Sequence, residues 1–258
     1  MITSVHNPKI AAIRRLMTQP RRRQEERAFV VEGVRLVEEA QHSGWTARQV
    51  LFTDQLDERG QVLVGEFSAG GVPVEQVSEA VMRSASETET PQGLMVVIEM
   101  RSLALPQMPD FLLVLDGVRD PGNLGTILRT AAAAGVQGVL LPPGNADYWS
   151  PKVVRAGMGA HFRLPLRQLS WEEIRQTLKE PGMKLKVYLA DAGEGVAYYR
   201  ADFRPPVAII VGGEAGGAGD ESVTMADEKV HIPMPGGSES LNAAMAAGIL
   251  LFEVVRQR

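Results

Sequence analysis

The sequence predicts an α/β protein in two parts, a small N-terminal α/β domain followed by a larger C-terminal domain built on a parallel sheet. Three observations carry this. The chain has 258 residues, 45% of them apolar and 22% charged, enough for one large or two modest domains with real cores. The runs FLLVLD (Phe111 to Asp116) and AIIVGGE (Ala208 to Glu214) are near-continuously apolar, as strands must be when helices cover both faces of a parallel sheet. Between stretches of different texture lies EMRSLALPQMPD, Glu99 to Asp110, with two prolines, which reads as an interdomain linker. The expected division is a domain over 1–99, a linker over 100–109 and a second domain over 110–258.

Each element has a local reason. Asn7-Pro8 reads as a helix cap with proline in the first turn, and Ile10, Ile13, Leu16 and Met17 then share one face. That helix runs to about Thr18, with Arg14 and Arg15 on its polar side. A strand at Phe29 to Val31, a helix after Gly33, a strand at Val50 to Thr53 and the apolar run Leu94 to Ile98 follow. The second part alternates more regularly. It places strands at Phe111 to Asp116, near Leu140, at Lys186 to Asp191, at Ala208 to Glu214 and at His231 to Met234. Between and after them come helices from about Gly125 to Ala134, near Val153 and from Ala243 to about Arg256. In such sheets ligands gather in the loops beyond the carboxyl ends of the strands, where this half keeps its glycines, prolines and asparagines.

Composition narrows the chemistry. The chain has no cysteine, which excludes disulfides, thiolate metal sites and cysteine nucleophiles. Its four histidines, His6, His42, His161 and His231, show no paired ligand spacing, so no metal is expected. The start lacks an apolar signal core and no run of 18 apolar residues occurs, which points to a cytoplasmic protein. Net charge is −4, yet Lys9, Arg14, Arg15, Arg21, Arg22 and Arg23 crowd the first 24 residues without one acid. That cluster is either a solvated helix face or a surface for phosphates, whose affinity comes from released counterions.

Three loops carry the candidate chemistry. In DGVRDPGNLGTILRTA, Asp116 to Ala131, Pro121, Gly122 and Gly125 make a tight turn and Asn123 is placed to cap the helix. Arg129 stands on an otherwise small and apolar helix, so it either reaches solvent or aims at an anion. The second loop, VGGEAGGAGDE, Val211 to Glu221, holds five glycines. It matches neither the phosphate-cradling GxxxxGK[ST] nor GxGxxG; what remains is exposed backbone able to approach a flat ligand, with the carboxylate of Glu214 at its start. The third, HIPMPGGSESLNAAMAAGILLFE, His231 to Glu253, has Ser240 or Asn242 opening a long apolar helix as its cap. GGSES lacks the final glycine of a serine nucleophile elbow.

Taken together, the N-x5-R spacing of Asn123 and Arg129, VGGE with its glycine tail, and IPMPGGSESLNAA resemble the three motifs of the SpoU (TrmH-like) methyltransferases of the SPOUT class. The resemblance covers about 150 residues in order and spacing. AFVVEGVRLVEEA (Ala28 to Ala40) and TPQG (Thr90 to Gly93) resemble the small substrate-binding domain that many members carry ahead of it. One departure is Gly213, where a bulkier residue such as alanine is common, and no consequence is expected of it.

The resemblance implies transfer of a methyl group from S-adenosylmethionine to a ribose 2′-hydroxyl of RNA, by a trefoil-knotted α/β domain that forms homodimers. It implies cofactor contacts near Gly212, Ile232 and Leu241, and a catalytic set of Asn123, Arg129, Glu214, Ser240 and Asn242. The family proposal makes the arginine at Arg129 a proton acceptor. A guanidinium, which gives up its proton only far above neutral pH, suits a grip on the phosphate beside the target ribose better. Ribosomal RNA, 23S first, is the implied substrate; tRNA, base methylation and a non-catalytic RNA-binding role are the alternatives.

Overall fold

The computed structural model describes residues 1–180, 182–213 and 217–258. In chain order the N-terminal part holds α1 (Pro8–Thr18), α2 (Pro20–Glu26), β1 (Ala28–Glu32), α3 (Val34–His42), β2 (Ala47–Phe52), α4 (Glu58–Ala69), β3 (Val74–Gln76), α5 (Glu79–Ala85) and β4 (Leu94–Glu99). Then come β5 (Phe111–Asp116), α6 (Pro121–Ala133), β6 (Gly138–Leu141), α7 (Pro151–Gly157), β7 (Leu166–Gln168), α8 (Trp171–Leu178) and β8 (Lys186–Asp191). The chain closes with β9 (Val196–Ala197), β10 (Val207–Gly212), α9 (Asp220–Met225), β11 (Glu228–His231) and α10 (Ala243–Gln257). These elements form two compact units, residues 1–101 with 149–162, and residues 102–148 with 163–258.

The first unit is a four-stranded sheet in the order β1-β4-β2-β3. Strand alternation sends Ala28 and Val30 to one face, where Ile10, Ile13, Leu16 and Met17 of α1 meet Val81, Met82 and Ala85 of α5. Phe29 points to the other face and packs on Trp45 and Trp149, with ring centroids 6.0 and 4.7 Å away. Asn7 caps α1 as the sequence suggests, its side chain accepting from Lys9 N.

The basic cluster is not one solvated face. Pro20 starts a second helix, and Arg23 on it is only 2% exposed, donating to the Leu16 and Met17 carbonyls at 2.5 and 3.0 Å. It thereby satisfies carbonyls left open at the end of α1. Arg21 and Arg22 pair with Glu25, and Arg14 donates to the Ser84 carbonyl and hydroxyl at 2.9 and 2.6 Å. Arg23 is therefore part of the fold, and neutralising it cannot report on RNA binding.

The second unit is a seven-stranded sheet in the order β7-β6-β5-β10-β8-β11-β9, and every pairing in it is parallel. The fold class read from FLLVLD and AIIVGGE is thus the observed one. Ile174 and Leu178 of α8 and Met225 of α9 cover Leu112, Val114, Val187, Leu189, Ala208 and Ile210. On α6 and β10 packs α10. Its end is fastened by Arg258, which donates to the Asp110 and Pro205 carbonyls, both at 2.9 Å, and lies over the Phe111 ring.

Two boundaries differ from the reading. Helix α6 starts at Pro121, not near Gly125, because Asp120 is its cap. Strand β11 ends at His231 instead of starting there, since Pro233 and Pro235 have no N–H to give a ladder. Among the described residues no helix is long and apolar enough to cross a membrane.

Candidate cofactor and active site

Beyond the carboxyl ends of β8, β10 and β11 lies a pocket of about 430 Å³, its wall including Asp191, Gly212, Ile232, Ser240, Leu241 and Asn242. That volume is in the range of small-molecule and cofactor sites. All three residues expected at the cofactor, Gly212, Ile232 and Leu241, line this one space, the first from the second loop and the other two from the third.

Glycine is required where β10 gives way to its loop. A Cβ on Gly212 would stand 2.5 Å from the Ala218 nitrogen and from the Gly217 carbonyl carbon, far inside contact distance. Gly213 donates to the Asp116 carbonyl at 2.7 Å, and a Cβ on it would run into the Gly117 carbonyl. The departure at Gly213 thus has a physical reason in this chain: β10 and the loop after β5 meet backbone to backbone. Glu214 lies outside the described residues, with Ala215 and Gly216.

The far end of the glycine loop is held by a residue that motif reading passed over. Asp116 accepts from Gly219 N and from the buried Ser222 hydroxyl, each at 2.7 Å. Asn145 similarly fixes the loop after β5, donating to the Leu115 and Pro142 carbonyls and accepting from Val118 N at 2.8 Å. The only sequence signal for either is a short polar side chain at a strand end or in a Pro-Gly turn; the partners of Asp116 lie more than 100 residues away.

Asn123 is not the cap of α6. Asp120 takes that role, accepting from Asn123 N at 2.8 Å, and so leaves the Asn123 side chain free to reach α10. There it accepts from Asn242 Nδ2 at 3.0 Å. Asn242 is itself the cap of α10, with Oδ1 accepting from Ala244 N and Met245 N, so one amide both starts the closing helix and joins the first loop to the third. Ser240, two residues upstream, lines the pocket without capping.

Arg129 stands apart from this group. It is exposed on α6, is not part of the pocket wall, and makes no hydrogen bond or ion pair with a described residue. At the rim, Asp191 accepts from Gly193 N and Glu194 N at 3.0 and 2.9 Å. The Gly193 amide above all holds its carboxyl below the ordinary range, against burial and helped by Glu194 N and Lys229. Lys229 Nζ lies 3.4 Å from the same carboxylate, so the charge at this end of the pocket is shared between an acid and a base. Among the described residues no group of three or more His, Asp or Glu is placed to hold a metal ion.

Fold and site together define a cofactor-binding α/β domain in which glycines and apolar side chains of the strand-end loops, not a phosphate cradle, make the ligand wall. Residues 110–252 match the SpoU rRNA Methylase family and residues 7–96 the MRM3-like substrate binding domain; the chain belongs to the SpoU family. It is 33% identical to the 23S rRNA (guanosine(2553)-2'-O)-methyltransferase RlmP of Bacillus subtilis, over 98% of both chains. Its fold is similar to that of an AdoMet-bound rRNA methyltransferase from Sinorhizobium meliloti, with a TM-score of 0.87 and 33% identity over 99% of this chain and 97% of that one. AviRb from Streptomyces viridochromogenes, a SpoU methyltransferase crystallised with AdoMet, gives 0.85 and 28% identity over 98% and 99%.

Proposed function

We propose that the chain transfers a methyl group from S-adenosylmethionine to a ribose 2′-hydroxyl of 23S rRNA. The observation that carries this is the pocket at the strand ends beside the joined pair Asn123 and Asn242, in a chain whose relatives of full length are rRNA methyltransferases. The pocket fits the cofactor: its volume is adequate, Gly212, Gly213 and Gly217 leave one side of it without side chains, and the Asp191 carboxylate, shared with Lys229, is an acceptor at its edge. Bound there, S-adenosylmethionine supplies an electrophilic methyl group.

The chain's own residues position the nucleophile. A ribose hydroxyl is a poor nucleophile at neutral pH and gains most from being held in line. Ser240, Asn242 and Asn123 present the fixed polar edge against which it is held, and Glu214 belongs to the same motif set. Arg129 is exposed and carries a planar guanidinium, so its role is to grip the phosphate next to the target ribose bidentately and offset developing negative charge. The 1–99 segment supplies RNA affinity and 110–258 the chemistry, with the C-terminal segment threaded as a knot, and the enzyme works in the cytoplasm, where its rRNA substrate is made.

Incubation of the purified protein with labelled S-adenosylmethionine and transcribed 23S rRNA or tRNA tests the reading. A ribose methyl at one 23S position is the expected product. Label only in tRNA, label on a base, or cofactor binding without transfer would each replace the reading by one of its alternatives.

The reading includes a homodimer. On α10, Met245, Phe252 and Val255 are 61%, 49% and 43% exposed and follow the spacing of a single helix face, an apolar stripe that a second copy would cover. Phe252→Glu is expected to shift the protein to monomer in sedimentation equilibrium while leaving the thermal midpoint nearly unchanged; a variant that stays dimeric would place the interface elsewhere.

A further inference from the structure

The first unit contains a second cavity, of about 300 Å³, bounded by β2, α5 and the segment before β4. Its floor is Thr53, a residue only 3% exposed that lines the cavity and whose hydroxyl makes no hydrogen bond with a described residue, so it is open to a ligand.

The cavity is built, not incidental. Gly93 has φ of +75°, and a side chain there would run into the Thr53 hydroxyl; only glycine keeps the space open. The wall from residue 86 to 90 is pinned by Glu32, which accepts from the Ser86 hydroxyl at 2.7 and 2.9 Å and from the Thr88 hydroxyl at 2.7 Å. Gln92 is fixed by accepting from Val34 N at 3.2 Å, which leaves its amide nitrogen to donate. Met82 and Pro91 add apolar surface.

From this arrangement we infer that the cavity takes one unstacked nucleobase of the RNA substrate, read on its hydrogen-bonding edge. The volume suits a single flat ring system. Glu79 already accepts from Gln55 Nε2 and pairs with Arg83 at 3.8 Å, so the carboxylate of Glu89 at the cavity is the acceptor that favours guanine, whose N1–H and N2–H2 lie side by side. Thr53 Oγ1 and Gln92 Nε2 meet the remaining polar atoms. Phosphates have a separate track: Arg83 stands at the rim, and Arg14, bound to Ser84 one residue further on, brings the basic side of α1 to it. Unpaired bases splayed into protein pockets are the usual way proteins read RNA sequence.

The inference rests on the proposed methylation of RNA, and two measurements on the full chain keep the two apart. Methionine-methyl NMR with GMP, AMP, CMP and UMP as probes should shift Met82, most with GMP, and Thr53→Val should abolish the shift. With 23S rRNA transcript, Thr53→Val should raise KM about fivefold or more, with kcat and cofactor affinity within about twofold, while Thr53→Ser keeps the parent KM. No Met82 shift with any nucleotide, or one that survives Thr53→Val, overturns the cavity as a base site. A GMP shift with an unchanged KM overturns the RNA assignment in favour of a free nucleotide. If the parent methylates no transcript, the function proposed above fails, and the nucleotide titration still decides the cavity.

Discussion

Arg129→Ala is expected to lower kcat for rRNA methylation about a thousandfold, the loss seen when one fixed donor to developing charge is removed, while cofactor affinity stays within about twofold. The separation follows from position: Arg129 is exposed on α6 and outside the pocket wall, so its loss leaves the cofactor loops intact. Because α6 is held by Leu124, Ile127, Leu128 and Ala131, the variant should fold normally. Arg129→Lys should recover part of the rate, since an ammonium attracts phosphate without the bidentate fork. Single-turnover methylation with calorimetry of cofactor binding checks this. Turnover near that of the parent would remove Arg129 from the site, and full rescue by lysine would remove the bidentate grip.

Gly213→Ala is expected to weaken cofactor binding tenfold or more and to lower the thermal midpoint. Its new methyl group would run into the Gly117 carbonyl, which is backbone and cannot rotate away. Overpacking of this kind costs about 1–3 kcal/mol, and here the displaced segments are two of the three site loops. Calorimetry and thermal unfolding, with and without S-adenosylmethionine, give both quantities. An alanine variant that binds and melts like the parent would mean that the loops part freely, and would return Gly213 to the harmless departure it is in the sequence.

The sheet is legible in the sequence because burial on both faces leaves little choice of residue: FLLVLD and KVYLAD mark β5 and β8 to the residue. The site is legible for a different reason, its loops being short runs with unusual composition, so that Gly212, Ile232, Leu241, Ser240 and Asn242 fall on one pocket. What escapes is whatever depends on distant partners. Asn123 looks like a helix cap because nothing local reveals that Asp120 has taken that place or that Asn242 waits 119 residues on. Arg23 looks solvated because its partners, the last carbonyls of α1, are exposed only once that helix has ended. The cavity at Thr53 is signalled only by TPQG, Thr90 to Gly93, which lines it; a threonine at the end of an apolar strand is ordinary by itself.

The order of strands in the second unit has a consequence during synthesis. The centre of the sheet is β10, held between β5 and β8, yet it is the next-to-last strand to leave the ribosome. Until residue 212 emerges, β5 and β8 each present an open, apolar edge, the kind of edge that invites wrong pairing. The first 101 residues, by contrast, have all four of their strands once β4 is made. The nascent chain can thus pair all four strands of the first sheet before the second sheet exists, although the face that carries Phe29 waits for Trp149. The interval between the two is when this protein is most exposed to misfolding.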